Sequence, residues 1–368
     1  MGSRPGTFVR KLVASATAAG LGLGLAAAAA TAAQAAVPNA WAFAYVRNPA
    51  GPVDATHWAE SVASPTPTAA SIGPGIEVVR FRNIGIVKGG VVHATAVTGR
   101  LAWCQAQGWR PRAGSEYVTV RCFRKGGVPG FVPFTVTFSQ SSGKLPGGLS
   151  YAYVHYSTAI VSSFNSKGLA NTVTPVGLGS WLVRLHGPGP ASPAGGIQVT
   201  AVNTKPRICD LAGWSRTPAQ QIIKVKCYNP AGGPAATGWT LTYQRGRAIT
   251  GTRPHFFGYT FNTKPLLAGP YAPTPAGINF NSVGAVNTIQ RAGLGESLVR
   301  FRRVGVLPNT VLVTAATPVA RVCNLNTGWA TTGSAASPGD VIVRDVVCYK
   351  VTGAMTPVQS MVTYSSKH

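Results

Sequence analysis

Apolar and polar residues alternate with a period of two along much of this chain. Ile223, Val225 and Cys227 fall on one side of a run whose other side is Lys224, Lys226 and Tyr228. Val118, Val120 and Cys122 repeat the pattern upstream, and Ile197, Val199 and Ala201 alternate with Gln198 and Thr200. Side chains of a strand point alternately to its two faces, so this period predicts strands with one face in a core. Turn-rich spacing between such runs predicts an all-β fold, with about six or seven short strands in each antiparallel sandwich.

The pattern recurs. "VVHATAVTGRLAWCQAQGWRPRAGSEYVTVRCF" from Val91, "IQVTAVNTKPRICDLAGWSRTPAQQIIKVKCY" from Ile197 and "VLVTAATPVARVCNLNTGWATTGSAASPGDVIVRDVVCY" from Val311 share one plan. In each, a tryptophan (Trp109, Trp214, Trp329) stands shortly after the first of two cysteines. Arg80, Arg184 and Arg300 end similar strands, and "WAFAYV", "YAYVHY" and "FGYTF" open the units. "QSSGKLPGG" and "QRGRAITGTRP" are turn-rich joints. The expected organisation is a leader over 1–36 and three tandem immunoglobulin-like β-sandwich modules over 37–145, 146–251 and 252–368, each folding independently. The Cys-Trp-Cys stretch is read as the device that stabilises each module's core.

The leader has a basic start (Arg4, Arg10, Lys11), an apolar run and "AQA" at Ala33–Ala35, the pattern of a Sec-type signal peptide. Export makes disulfides the expected state of the six cysteines. A module that folds alone must pair its own, which selects Cys104–Cys122, Cys209–Cys227 and Cys323–Cys348.

The segments "VTAVNTKPRICDLAGW" and "FNSKGLANTV" resemble uncharacterised secreted tandem-repeat β proteins of actinobacterial type. The resemblance covers nearly the whole chain after the leader. It implies export and tandem β modules, and it brings no activity with it. The first module departs from it by lacking the FNSxG segment.

Composition narrows the chemistry. Hydrophobic residues make up 45% and charged ones only 11%, against an ordinary charged share of about 25%. Eight Asp and Glu serve the whole chain, and no aligned position is acidic in all three units, which argues against a repeated two-carboxylate hydrolase. Asp54, His57 and Glu60 lie close together in the first unit and form the one local cluster that could serve an exported enzyme. No nucleophile-elbow, zinc, phosphate-loop or dinucleotide motif is present, so no cofactor is expected. His93 aligns with Gln198 and Leu312 and is read as a surface residue on an outward strand face.

Two candidate binding features remain. Phe164–Thr172 and Phe280–Thr288 match closely; Asn-Ser-x-Gly suits a turn, and the alternative is a polar pocket for a sugar or peptide built from Asn165, Ser166, Asn171, Asn281, Ser282 and Asn287. That alternative makes the protein lectin-like. The second feature is charge: 33 Lys and Arg give a formal net charge of +25. An excess of that size attracts polyanions, with Lys224, Lys226, Arg300, Arg302 and Arg303 as candidate contacts. The reading is a secreted, non-enzymatic binding or structural protein of the cell exterior whose partner is an anionic cell-wall polymer or glycan, with no sequence-specific nucleic-acid motif.

Overall fold

In the computed structural model, residues 40–86, 88–145, 149–189 and 193–368 are described; the leader expected over 1–36 lies outside them. Strand pairing repeats in threes. A four-stranded sheet runs Trp58–Glu60, Ala40–Val46, Phe134–Gln140, Val91–Ala96. The same order recurs as Ile160–Asn165, Ser150–Tyr156, Gly238–Arg245, Gly196–Val202, and again as Asn279–Asn281, Phe257–Asn262, Ser360–Ser366, Asn309–Ala315. A second order runs Thr68–Gly73, Ile76–Phe81, Ser115–Arg124, Ala102–Arg112. It recurs as Asn171–Gly177, Ser180–His186, Gln220–Tyr228, Ile208–Thr217, then as Thr288–Gly293, Glu296–Gly305, Gly339–Lys350, Arg321–Leu325. All these neighbours are antiparallel. The structure is therefore all-β, with several antiparallel sheets and no α-helix among the described residues. The pairing passes from one third of the chain to the next within residues 141–149 and 246–256.

Three apolar clusters draw mainly on both strand orders of one third each, around Val79, Phe81 and Phe134, around Val183, Ile223 and Trp239, and around Val299, Phe301 and Val343, and take in a few residues of the neighbouring thirds. The disulfides are Cys104–Cys122, Cys209–Cys227 and Cys323–Cys348. Each joins residues directly opposite one another on adjacent strands, with Cα atoms 4.1 Å apart, the close spacing of a non-hydrogen-bonded antiparallel pair.

The tryptophans do more than fill their own cores. Trp109 and Trp214 stand five positions after Cys104 and Cys209, an odd offset that would put them on the opposite face of a regular strand. Bulges between Ala106 and Gly108 and between Leu211 and Gly213 insert one residue and return each indole to the cysteine's face. Each then meets the next third. Trp109 lies 4.5 Å from the His155 ring, Trp214 6.5 Å from Phe261, and Trp329 5.8 Å from Tyr45, centroid to centroid. His155, Phe261 and Tyr45 hold the same place in the strands that open their thirds. The first third thus meets the second, the second the third, and the third the first: a head-to-tail contact that closes on itself. The described residues form one compact unit.

His93 departs from expectation. It is only 2% exposed, and its ring bonds Thr200 Oγ1 at 3.1 Å and Thr242 Oγ1 at 2.8 Å, both in the next third. Burial pushes its pKa down to about 3. Gln198, at the aligned position, donates to Thr363 Oγ1 and accepts from Thr314 Oγ1; Thr135 and Thr310 share a hydrogen bond across the remaining junction. The polar face of these strands is turned to a neighbouring sheet rather than to water. Buried polar groups are tolerated there where they find partners, as His93, Gln198, Thr135 and Thr310 do. Tyr228, also expected to point outward, is 2% exposed for the same reason.

Candidate functional site

The three thirds meet where the loop before each first cysteine approaches the strand after it in the preceding third. Gln105 accepts from the Arg207 N–H at 2.8 Å and donates to the Asn203 and Lys205 carbonyls. Asp210, its counterpart, accepts from the Arg321 N–H at 3.1 Å, and Asn324 donates to the Arg100 carbonyl at 2.9 Å. Tyr228 donates to the Pro318 carbonyl and Tyr349 to the Gly99 carbonyl, each at 2.5 Å. Phe123 has no hydroxyl, and in its third the Arg121 guanidinium donates to the Thr204 carbonyl instead. Lys226 reinforces the Pro318 contact at 3.1 Å.

The loops after the second cysteines interlock as well. Gly127, Gly232 and Gly353 are counterparts with φ of +81°, +89° and +97°. A Cβ on Gly127 would stand 2.7 Å from Pro230, one on Gly232 would stand 3.3 Å from Val351, and one on Gly353 would stand 3.5 Å from Lys125. Glycine meets the left-handed backbone at all three positions and, at Gly127, the close approach as well. Beneath the loops, Trp103, Ile208, Val322, Phe123 and Tyr349 share a cluster to which all three thirds contribute. A cavity of about 60 Å³ behind it is lined by Gln105, Asp210 and Asn324.

This junction is strongly basic. Arg100, Lys125 and Lys205 are exposed on its loops and Arg124 and Lys350 at the ends of its strands, with Arg121, Arg207, Lys226 and Arg321 half-buried among them. Across residues 97–105, 121–133, 202–210, 226–237, 316–324 and 348–358 the sole acidic residue is Asp210. Asp210 is buried, and burial raises its pKa well above the carboxylate range, partly offset by the Arg321 N–H and charge. The loops therefore carry positive charge with little internal compensation. Between the first and third thirds they border a groove of about 800 Å³ holding Arg100, Arg124 and Lys125.

Of the sequence candidates, Lys226 belongs to this junction. Lys224 is exposed on the same strand. Arg300, Arg302 and Arg303 are all exposed, on Glu296–Gly305; Arg300 is ion-paired with Asp340, whose carboxylate also accepts from the Arg303 N–H. Arg100, Lys205, Arg207 and Arg321 were not singled out from the sequence. Their signal was there: "TGRLAWC", "NTKPRIC" and "PVARVC" each place cations two or four residues before the cysteine.

The two FNSxG segments form matching internal braces. Asn165 donates to Asn171 Oδ1 and the His186 carbonyl, as Asn281 does to Asn287 Oδ1 and the Arg302 carbonyl. Asn171 and Asn287 donate onward to the Phe164 and Phe280 carbonyls. Ser166 and Ser282 accept from the Tyr151 and Phe257 N–H groups, and Gly168 and Gly284 turn the chain at φ +74° and +76°. The amides are engaged within the fold.

Asp54 and His57 pair, while Glu60 is engaged elsewhere. His57 Nδ1 lies 2.7 Å from Asp54 Oδ1, and its ring packs edge-on to Trp329 at 4.8 Å, across the junction of the first and third thirds. Glu60 accepts from the Arg82 N–H at 2.9 Å and from Ser64. Among the described residues no group of His, Cys, Asp and Glu is placed to hold a metal ion, and no helix is long and apolar enough to cross a membrane. No family model, curated protein or solved structure matches this chain.

Proposed function

We propose that this protein is a secreted, non-enzymatic binding or structural protein of the cell exterior that holds anionic polymers at the basic junction of its three thirds. The carrying observation is the convergence there of Arg100, Arg124, Lys125, Lys205 and Lys350 with a single, buried acid. Recurring strand orders and local disulfides support describing the thirds as tandem immunoglobulin-like sandwich modules of the secreted repeat type. The internal engagement of the FNSxG amides favours the polyanion reading over a lectin-like site in those segments.

Retention on polyphosphate or duplex DNA as probe polymers tests the reading. Binding should weaken steeply with salt, since each neutralised phosphate on duplex DNA contributes about −0.9 to the log–log slope. Replacing Arg100, Lys125 and Lys205 together with Ser should flatten that slope, whereas Arg302→Ser with Arg303→Ser should leave most of it. The opposite ranking, or binding independent of salt, would remove the junction from the function.

A further inference from the structure

The three tryptophan junctions are not equally filled. Between the first and second thirds His155 closes on Trp109, and between the third and first Tyr45 and His57 close on Trp329, which is 5% exposed. Between the second and third, the Trp214 and Phe261 rings are 6.5 Å apart, wider than the other two contacts, and line a pocket of about 390 Å³. One wall comes from the connection between Phe257–Asn262 and Asn279–Asn281, which contributes Thr263 and Thr274. The corresponding turn of the second third spans only residues 157–159. The first third's connection, residues 47–57, is also long, but there His57 packs onto Trp329, whereas here the extra chain lines an open pocket.

We infer that this pocket binds one acidic pyranose, a hexuronate residue of a glycan chain. The Trp214 indole N–H already donates to Gln221 Oε1 at 2.7 Å, so the residue offers its ring face, which suits the apolar C–H face of a sugar. Ser215, Thr263 and Thr274 are among the residues that line the space, the mixture of apolar wall and few polar groups found in small-ligand sites of about 300–1,000 Å³. Charge selects the acid. Arg216 lines the pocket, and a guanidinium matches a carboxylate's geometry. Pro318 lines it too, and its carbonyl holds Lys226 Nζ at 3.1 Å, which joins the pocket to the basic junction. The choice of an acidic sugar rests on the polyanion reading; the pocket itself does not.

Calorimetric titration of the full secreted chain with trigalacturonate, with maltotriose as the neutral counterpart, tests this. Trigalacturonate should bind at least tenfold more tightly than maltotriose, and Arg216→Gln should erase most of that preference. Trp214→Ala should cost at least tenfold in trigalacturonate affinity while leaving polyphosphate retention intact. Ala212→Leu, which crowds the pocket without touching Trp214, should do the same, with thermal melting to verify the fold of each variant. Equal affinity for both sugars overturns the acidic assignment. Binding of neither, or binding unaffected by Trp214→Ala and Ala212→Leu, overturns the pocket. Polyphosphate retention reads the junction separately, so the failure of one proposal is distinguishable from the failure of the other.

Discussion

Replacing Glu77 by glutamine should remove a measurable part of the stability this protein loses as pH rises from about 4.5 to about 7. Glu77 lies on the core face of Ile76–Phe81 with Val79 and Phe81, is 1% exposed, and neither carboxylate oxygen has a hydrogen-bond partner. Burial raises its pKa from 4.5 to about 7. Below 4.5 the group is protonated in both folded and unfolded chains and does not affect the balance between them. Between 4.5 and about 7 the folded chain holds the proton while the unfolded chain releases it, so stability falls as pH rises and then levels off. A shift of this size corresponds to about 3 kcal/mol. Urea unfolding of wild type and Glu77→Gln at pH 4.5 and pH 8.5 gives four stabilities. Between the two pH values, wild type should lose about 3 kcal/mol more than the variant. Any packing cost of the amide is the same at both pH values and cancels. Glu60 and Glu116, raised by burial to about 7 and about 8, titrate in both proteins and cancel as well. Equal pH dependence in the two proteins would refute the reasoning and place Glu77 in contact with water or a cation.

Replacing Cys209 and Cys227 together with Ala should cost about 2–5 kcal/mol by freeing a long loop in the unfolded chain, read from denaturation midpoints. His93→Ala should cost about 2–4 kcal/mol, because it opens a cavity and leaves the Thr200 and Thr242 hydroxyls buried without their imidazole partner; a surface histidine would cost almost nothing. Tyr349→Phe should cost about 1 kcal/mol for its bond to the Gly99 carbonyl, and hydrogen exchange should show the loss as faster exchange in the loops on both sides of that junction.

Local signals in the sequence determine much of this protein. Alternation of apolar residues predicted strands because a pleated chain shows every second side chain to the same face. The recurrence of two cysteines in each repeated unit predicted the within-unit disulfides that the structure contains. Asn-Ser-x-Gly predicted a turn because Gly168 and Gly284 are free to adopt positive φ. What the tertiary structure decided is where the second face of each strand goes. Alternation distinguishes two faces without saying what lies beyond them, and a polar face reads alike whether it meets water or another hydroxyl-bearing sheet. For that reason His93 and Gln198 read as surface residues although they pair across junctions. The basic end was hidden likewise: Arg100, Lys205 and Arg321 are far apart along the chain and share one place because a head-to-tail contact closes on itself. The open junction at Trp214 depends on a difference in packing between positions that match in sequence, which is set by whether a neighbour's side chain fills the space.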